Sequence, residues 1–263
     1  MKGFTASLWP IRYKPFPDEL LSSWLVRLAH GHGLKVQTFC NLIFGNRNQV
    51  WNRDVDRFGP EWLVCELSVR TGTPMDVAYT TTLRSYEGRL YAKFRASGTL
   101  PWLQTLKVYH RTREGFGLQY CGACLAEDAT PYFRKAWRVS FNTICVKHDC
   151  MLHDRCPQCG CAIMFHRVEM GRGSAFDSLL MTACHACGFN LSESPIKPIT
   201  SYDAQASAWH AKLCNSLGQS ADQSIAQIDL NAMRVIHVLH QGIAQFRVPS
   251  RGLRVIRRDR FDW

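Results

Sequence analysis

The chain lacks any long apolar stretch. Residues 1–13 contain no apolar core of the length that a signal peptide needs, and no run of about 18 apolar residues marks a membrane span. The sequence therefore predicts a cytoplasmic protein without a membrane segment. Disulfides are rare in that reducing compartment, so we expect the twelve cysteines of the chain to be metal ligands or small buried residues.

Signatures of several common enzyme classes are also missing. The sequence contains no H-E-x-x-H, G-x-S-x-G, Walker-type or G-x-G-x-x-G element. A zinc deaminase needs a glutamate in H-x-E or C-x-E upstream of P-C-x-x-C. Here the proline follows the cysteine in Cys156-Pro157-Gln158-Cys159, and Glu169 lies at the wrong spacing. We therefore predict a protein that is not an enzyme.

The chain has fewer acidic than basic residues. It contains 21 Asp and Glu against 32 Lys and Arg, which gives a formal net charge of +11. A basic surface favours polyanions, and nucleic acid is the default polyanion in a cytoplasm. Residues 247–263 hold six arginines against two aspartates. This segment is either a solvated tail or a segment that follows phosphates. In the second interpretation four of its residues contact nucleic acid, namely Arg251, Arg254, Arg257 and Arg258.

What the chain does contain is four pairs of zinc-ligand residues, each pair separated by two residues. Zinc prefers four thiolate or imidazole ligands, and such a spacer lets one tight turn present two of them. The first set is Cys121, Cys124, Cys145 and His148, and the second is Cys156, Cys159, Cys184 and Cys187. These sets predict two structural zinc ions. Both sites look closed, whereas a catalytic zinc keeps one position open for water.

The remaining cysteines fall into two groups. Cys161 lies two residues after Cys159 and could replace a ligand of the second set. The others lie in apolar or mixed stretches, where we expect small core residues, and they are Cys40, Cys65, Cys150 and Cys214.

The N-terminal part of the chain has the spacing of a helical hairpin. Asp18 and Glu19 fall where a helix would start and where the helix dipole favours negative charge. An apolar stripe with helical period follows over 20–29, and a second helix is predicted from Val36 to a stop at Gly45.

A second hairpin follows, and its form suggests DNA binding. Pro60 starts a helix that ends at Gly72, and the turn Thr73-Pro74 opens another that extends to Leu83. A helix, a glycine-containing turn and a second helix form the geometry that places a recognition helix in the major groove. The residues expected to contact nucleic acid from this helix are Tyr79, Thr82 and Arg84.

The rest of the chain is less regular. Residues 84–118 are predicted to be a linker with short elements, and 131–138 a helix or tight turn on which Arg134 and Arg138 share a face and contact nucleic acid. Residues 162–183 alternate as a strand hairpin would. Residues 204–217 and 230–246 are predicted to be amphipathic helices.

These predictions describe a mainly α protein with a small amount of β structure. An N-terminal helix-turn-helix domain covers 1–118, and a tandem zinc-ribbon or zinc-knuckle domain covers 119–195. A C-terminal helical segment with an arginine-rich tail covers 196–263.

Several stretches of the chain belong together in one pattern. They are PFPDELLSSWLVRLA at 15–29, YCGACLAED at 120–128, PYFR at 131–134 with WR at 137–138, CVKH at 145–148 and LHDRCPQCG at 152–160. This pattern resembles the TniQ family of transposition-targeting proteins over roughly residues 12–195. Its zinc half is specific, because an aromatic and basic insert between two knuckles is not a general feature of zinc ribbons.

The resemblance implies an adaptor that recognises a target and recruits an AAA+ ATPase regulator of transposition. Members of the family bind attachment-site DNA directly or dock on a CRISPR effector complex with its guide RNA. The eight Cys and His residues carry over as two zinc sets, although Gly122 stands where the family often has proline. This chain is shorter than the members that read DNA directly, which favours docking on another complex.

Two other functions fit the same residues. One is a stand-alone zinc-ribbon regulator that binds a defined DNA sequence, and the other is a zinc-dependent nucleic-acid enzyme that uses Glu169. The apolar hairpin faces and the family resemblance are compatible with a homodimer, but no heptad pattern requires one.

Overall fold

The computed structural model describes residues 7–45, 49–109, 112–113, 115–169 and 181–198. The predicted helices over 204–217 and 230–246 and the arginine-rich segment 247–263 lie outside the described residues. As the sequence predicts, the regular structure is mainly helical. The α-helices are α1 (Leu21–Gly31), α2 (Val36–Phe44), α3 (Val55–Phe58), α4 (Glu61–Thr71), α5 (Met75–Thr80) and α6 (Gly122–Glu127). Short 3-10 helices cover Val50–Asn52, Leu83–Tyr86, Lys135–Arg138, Phe165–Arg167 and Leu191–Glu193.

Two small antiparallel sheets complete the described secondary structure. Strand β1 (Val108–Tyr109) pairs with β2 (Thr112–Arg113), and β3 (Ile144–Cys145) pairs with β4 (Cys150–Met151). In the second sheet Cys145 lies opposite Cys150. Within the described part of the chain, no helix is both long and apolar enough to cross a membrane.

Helix α1 lies at the centre of the helical part, and every residue from Leu21 to Ala29 is buried. Asp18 and Glu19 directly precede this helix, close to the start that the sequence predicts, but no acid lies in its first turn and tertiary contacts hold both carboxylates. The Asp18 carboxylate accepts the backbone N–H of Ala136 at 2.9 Å. The Glu19 carboxylate forms a buried ion pair of 2.6 Å with Arg27.

Helices α4 and α5 form the second predicted hairpin, and Gly72 supplies the left-handed conformation between them (φ +65°). The prediction that α5 continues to Leu83 is wrong, since the helix ends at Thr80. The hydroxyl groups of Thr80, Thr81 and Thr82 each donate to the carbonyl three residues earlier, at 2.7–2.8 Å. Such side-chain bonds compete with the backbone bonds of a helix.

The segment 84–118 contains the predicted short elements, but its apolar residues are part of the hydrophobic core. An exposed linker would leave these side chains in water, where burying each large apolar group is worth roughly 1.5–3 kcal/mol. The buried members are Tyr86, Leu90, Tyr91, Leu100, Leu103, Leu106 and Leu118.

The predicted strand hairpin over 162–183 is wrong where the structure describes it. Phe165 lies in a 3-10 helix and packs its ring against Phe133, with the ring centroids 4.2 Å apart. The alternation of apolar residues therefore reflects burial in a tight turn.

The segment around Phe133 joins the helical part to the cysteine-rich part. The Leu20 N–H donates to the Phe133 carbonyl at 2.9 Å, and the Phe133 N–H donates to the Ser23 hydroxyl at 3.0 Å. Glu169 adds a second link, because its carboxylate contacts the His30 ring and accepts the Val36 N–H. One hydrophobic cluster contains residues from both sides of position 118, and the domain boundary at that position stays a prediction.

Candidate metal centres and the basic surface

The first cluster is assembled by the start of a short helix and by a hairpin. Cys121 caps helix α6, and its sulfur accepts the Cys124 N–H at 3.4 Å. Cys145 ends strand β3, and the His148 N–H donates to the Cys145 carbonyl at 3.3 Å. Each two-residue spacer thus forms one tight turn that places two side chains on the same side, as the spacing predicts.

The donor atoms of this cluster have the separations of a tetrahedral zinc site. The sulfurs of Cys124 and Cys145 are 3.6 Å apart, and the His148 Nδ1 lies 3.3–3.5 Å from the sulfurs of Cys121, Cys124 and Cys145. Tetrahedral geometry with Zn–S bonds of about 2.3 Å places two sulfurs about 3.8 Å apart. A disulfide would require about 2.05 Å, so the cysteines of this cluster are not paired covalently.

The electrostatics of this cluster also favour a cation. A hydrogen bond from the Cys124 thiol lowers the pKa of Cys121, and the same bond raises the pKa of Cys124, because one proton is shared between two sulfurs. Against the effect of burial, the Glu127 carboxylate raises the pKa of His148. A divalent cation would replace the shared protons and neutralise the crowded sulfurs.

Glu127 orients the histidine. Its carboxylate lies 2.9 Å from the His148 Nε2, opposite the Nδ1 that faces the sulfurs, and it also contacts Lys147 at 2.6 Å. A carboxylate behind a metal-binding imidazole fixes the ring and its tautomer. No sequence motif indicates this role for Glu127. Its position three residues after Cys124 in α6 is the feature that could have pointed to it.

Cys150 lies close to the first cluster, a position that its sequence context does not indicate. It is buried, as predicted, but its sulfur lies 3.7 Å from that of Cys121. It is not among the four residues whose ligand atoms all lie within 4.8 Å of one another. The thiol therefore packs beside the first cluster without belonging to the set of four.

The second cluster consists of two turns of similar form. Gly160 and Gly188, each directly after a cysteine pair, have positive φ of 71° and 79°. The Gly160 N–H donates to the Cys156 carbonyl and the Gly188 N–H to the Cys184 carbonyl, both at 2.9 Å. A residue with a Cβ is strained at such φ values, so glycine is required where each turn closes.

The sulfurs of this cluster also match a tetrahedral site. Those of Cys156 and Cys187 are 3.7 Å apart, and those of Cys159 and Cys184 are 3.6 Å apart. Burial raises the pKa of the Cys156 thiol. Cys161 instead uses its backbone, because its carbonyl accepts the Cys156 N–H at 2.9 Å, and it is not among the four clustered residues.

The segment that follows the second cluster packs against helix α6 at Gly122. A Cβ at this position would lie 3.0 Å from the Leu191 carbonyl oxygen and 3.1 Å from the Ser194 Cβ. The Tyr120 hydroxyl hydrogen-bonds the Ser194 hydroxyl at 2.8 Å. The segment after the second cluster therefore crowds the Cβ of any residue other than glycine at position 122, proline included, which favours the glycine found there.

Comparison with protein families adds an independent finding. The TniQ family model matches residues 10–152, which is more than half of the chain and includes the helical part and the first cluster. The chain belongs to the TniQ family. Membership confirms the resemblance and makes the chain a transposition-associated protein. The matched range ends before the second cluster. No curated protein matches the sequence.

Arg138 of this TniQ chain has no exposed surface for nucleic acid. Its side chain is 1% exposed, and its guanidinium forms an ion pair of 2.5 Å with Asp54 and lies 3.5 Å from Asp56. Arg134 forms an ion pair of 2.8 Å with Asp128 and stacks on the Trp137 ring. The two arginines do not share the helical face that the sequence analysis predicts, because only 135–138 form a 3-10 helix.

The predicted contacts on the second hairpin differ in exposure. Thr82 is completely buried, while Tyr79 and Arg84 are half-buried. The Arg84 guanidinium lies 4.9 Å from the centre of the Phe94 ring. Of the predicted nucleic-acid residues, Tyr79, Arg84 and Arg134 retain partial exposure, and Arg251, Arg254, Arg257 and Arg258 lie outside the described residues.

The carboxylates that hold Arg138 went unnoticed in the sequence. Asp54 caps α3 by accepting the Arg57 N–H, and Asp56 accepts both the N–H and the hydroxyl of Ser22. Burial, together with the charge of Asp54, raises the pKa of Asp56 to about 6. In the sequence, the two aspartates show only as a D-x-D spacing, and the arginine that they bind is distant along the chain.

Proposed function

We propose that each of the two clusters binds one structural zinc ion. Seven thiols and one imidazole are the soft and borderline donors that zinc prefers, and their separations match tetrahedral coordination. Four protein ligands at each ion leave no position for a reacting water. The bound metal would therefore supply folding energy and no chemistry.

We further propose that this TniQ protein is a non-catalytic adaptor in the selection of transposition targets. The observation that carries this proposal is the family match, which spans the helical part and the first cluster. The adaptor binds a targeting complex, either a CRISPR effector with its guide RNA or target DNA, and recruits an AAA+ transposition regulator. It could act as a homodimer.

The position of Glu169 supports a non-catalytic role. A zinc-dependent enzyme would need this glutamate as an acid or base beside a metal-bound water. Its side chain is instead buried, and both carboxylate oxygens are engaged, one by the His30 ring and one by the Val36 N–H. Glu169 thus fixes the start of α2 to the cysteine-rich part.

Nucleic-acid contacts are proposed for the basic residues that retain exposure. They are Arg84 and Arg134. Contacts are also proposed for the half-buried Tyr79 and for four arginines of the C-terminal segment, which lie outside the described residues: Arg251, Arg254, Arg257 and Arg258. The excess of basic residues supports a polyanionic partner. The alternative function, a stand-alone sequence-specific DNA-binding regulator, rests on the same charge and on the α4–α5 hairpin.

A tagged purification from cells that carry the native neighbouring genes tests the adaptor proposal. Co-eluting proteins are identified by mass spectrometry and nucleic acids by sequencing, and the same tagged chain expressed without its neighbouring genes is the control. We expect an AAA+ ATPase, with a CRISPR effector and guide RNA or with target DNA. Recovery of the chain alone, or with one defined duplex, would instead support the regulator.

A further inference from the structure

We propose that the loop over residues 92–99 is a contact site for the phosphate backbone of duplex DNA, with Lys93 and Arg95 as its contacting residues and Arg57 as the residue that positions them. This inference rests on the part of the proposed function that gives the protein a nucleic-acid target. No sequence motif identified the loop.

The loop is fixed at both ends by the core. Tyr91 and Leu100 flank it and are 5% and 4% exposed. The Tyr91 hydroxyl donates to the Leu83 carbonyl at 3.0 Å, and the Gly88 N–H donates to the Tyr91 carbonyl at 2.8 Å. The residues between these anchors therefore project from a rigid base.

Arg57 holds the loop backbone through hydrogen bonds to its carbonyl groups. Its buried guanidinium donates to the carbonyls of Arg95 and Gly98 at 2.8 Å and of Ala96 at 3.3 Å. One planar group with several N–H donors can hold three carbonyls in a fixed arrangement, which a lysine ammonium does less well. Because the carbonyls face a buried cation, the electronegative side of the loop backbone is turned toward the protein.

Phe94, within the loop, is held by a second set of contacts. Its N–H donates to the Glu87 carboxylate at 3.2 Å, and its ring packs against Phe58 and the Arg84 guanidinium. Glu87 is the only acid between positions 84 and 99, and its carboxylate accepts this backbone bond. Four basic residues occur in the same stretch, which gives a local net charge of +3 (4 − 1).

The loop itself carries two basic side chains, and both are available to a ligand. Lys93 and Arg95 are exposed. Within the part of the chain that the structure describes, neither side chain has an ion-pair or hydrogen-bond partner. Two such cations, on either side of a fixed aromatic residue, match the repeating charges of a phosphate backbone. Contacts from these two cations to phosphates carry no sequence information, so we expect binding without sequence preference.

The test measures the affinity of the full zinc-loaded chain for a labelled duplex of arbitrary sequence by fluorescence anisotropy, from about 50 to 200 mM salt. Replacing both cations, Lys93→Gln with Arg95→Gln, should weaken binding by about tenfold or more at 100 mM salt. It should also reduce the slope of log affinity against log salt by about 2. Arg57→Lys, which keeps the charge, should weaken binding with a nearly unchanged slope.

The matched control is Arg12→Gln with Lys197→Gln, which removes two exposed charges outside the loop. Equal losses in the control and in the loop variant would show an effect of net charge alone and would overturn the proposal. An unchanged slope in the loop variant, or no duplex binding by the wild type even at low salt, would overturn it as well.

An RNA duplex of the same length identifies the source of the phosphates. A loss confined to RNA would overturn the assignment to DNA. Purification of the tagged loop variant with its neighbouring genes tests the adaptor role separately. If the ATPase still co-elutes with this variant while the duplex measurements contradict the loop proposal, the adaptor role stands.

Discussion

Arg138 shows how a single residue can join two parts of this protein. The guanidinium lies between the carboxylates of Asp54 and Asp56, which are 84 and 82 residues away in sequence. It also donates to the Gln104 carbonyl at 3.0 Å. Two buried carboxylates with no cation between them would be strongly unfavourable. The arginine therefore stabilises the fold.

Replacing this cation should destabilise the protein more than replacing an exposed one. We expect Arg138→Met to lower the free energy of unfolding by about 3–5 kcal/mol, because it leaves buried charge uncompensated. The control is Arg70→Gln, which breaks a partly exposed pair with Glu66 and should cost less than about 1 kcal/mol. Urea denaturation of the zinc-loaded proteins gives both values. Similar costs for the two variants would refute the structural role of Arg138.

At the scale of elements, the sequence predicts well what depends on local spacing. The turns that carry Cys121 to Cys124 and Cys156 to Cys159 need only a two-residue spacer, so both donor sets could be identified in advance. The end of α5 could not be predicted, because three threonine hydroxyls take the backbone carbonyls there. Arg138 was misassigned because its partners are distant in the chain.

The same reasoning applies to Cys161 and Gly122. Ligand spacing alone left Cys161 open as an alternative, and only the bond from the Cys156 N–H to its carbonyl shows that the residue serves the turn through its backbone. At position 122 the family often has proline and this chain has glycine, which fits the close approach of the Leu191 carbonyl, 69 positions further along (191 − 122). Contacts between distant segments are not readable from a single sequence.

Removal of one ligand should show that the clusters hold the cysteine-rich elements together. We expect Cys124→Ser to lose one zinc per chain and to unfold this region, since structural zinc contributes about 10–16 kcal/mol of apparent binding free energy. Cys161→Ser is the matched control and should keep two zinc ions and the wild-type melting temperature. Metal analysis and thermal unfolding measure both. A Cys124→Ser protein with two zinc ions and full stability would contradict the proposed sites.

At the scale of the whole molecule, the proposed adaptor role rests on the family match and is consistent with the following features. The described part has a core shared by helices and cysteine-rich turns, and a buried glutamate where an enzyme would need an accessible one. The charge of the full chain is basic. Such a protein should bind nucleic acid weakly by itself and gain affinity through its partners.

The most direct test of the adaptor role is a titration of duplex DNA with the purified chain, with and without the AAA+ regulator that the proposed function predicts as its partner. Two unrelated duplexes are compared at several salt concentrations. We predict weak, salt-sensitive binding by the chain alone, with a Kd near about 10⁻⁴–10⁻⁶ M for both duplexes, and tight assembly only when the partner is present. Tight binding of one duplex by the chain alone, with a Kd of about 10⁻⁸ M or lower, would contradict the adaptor role and identify a sequence-specific regulator.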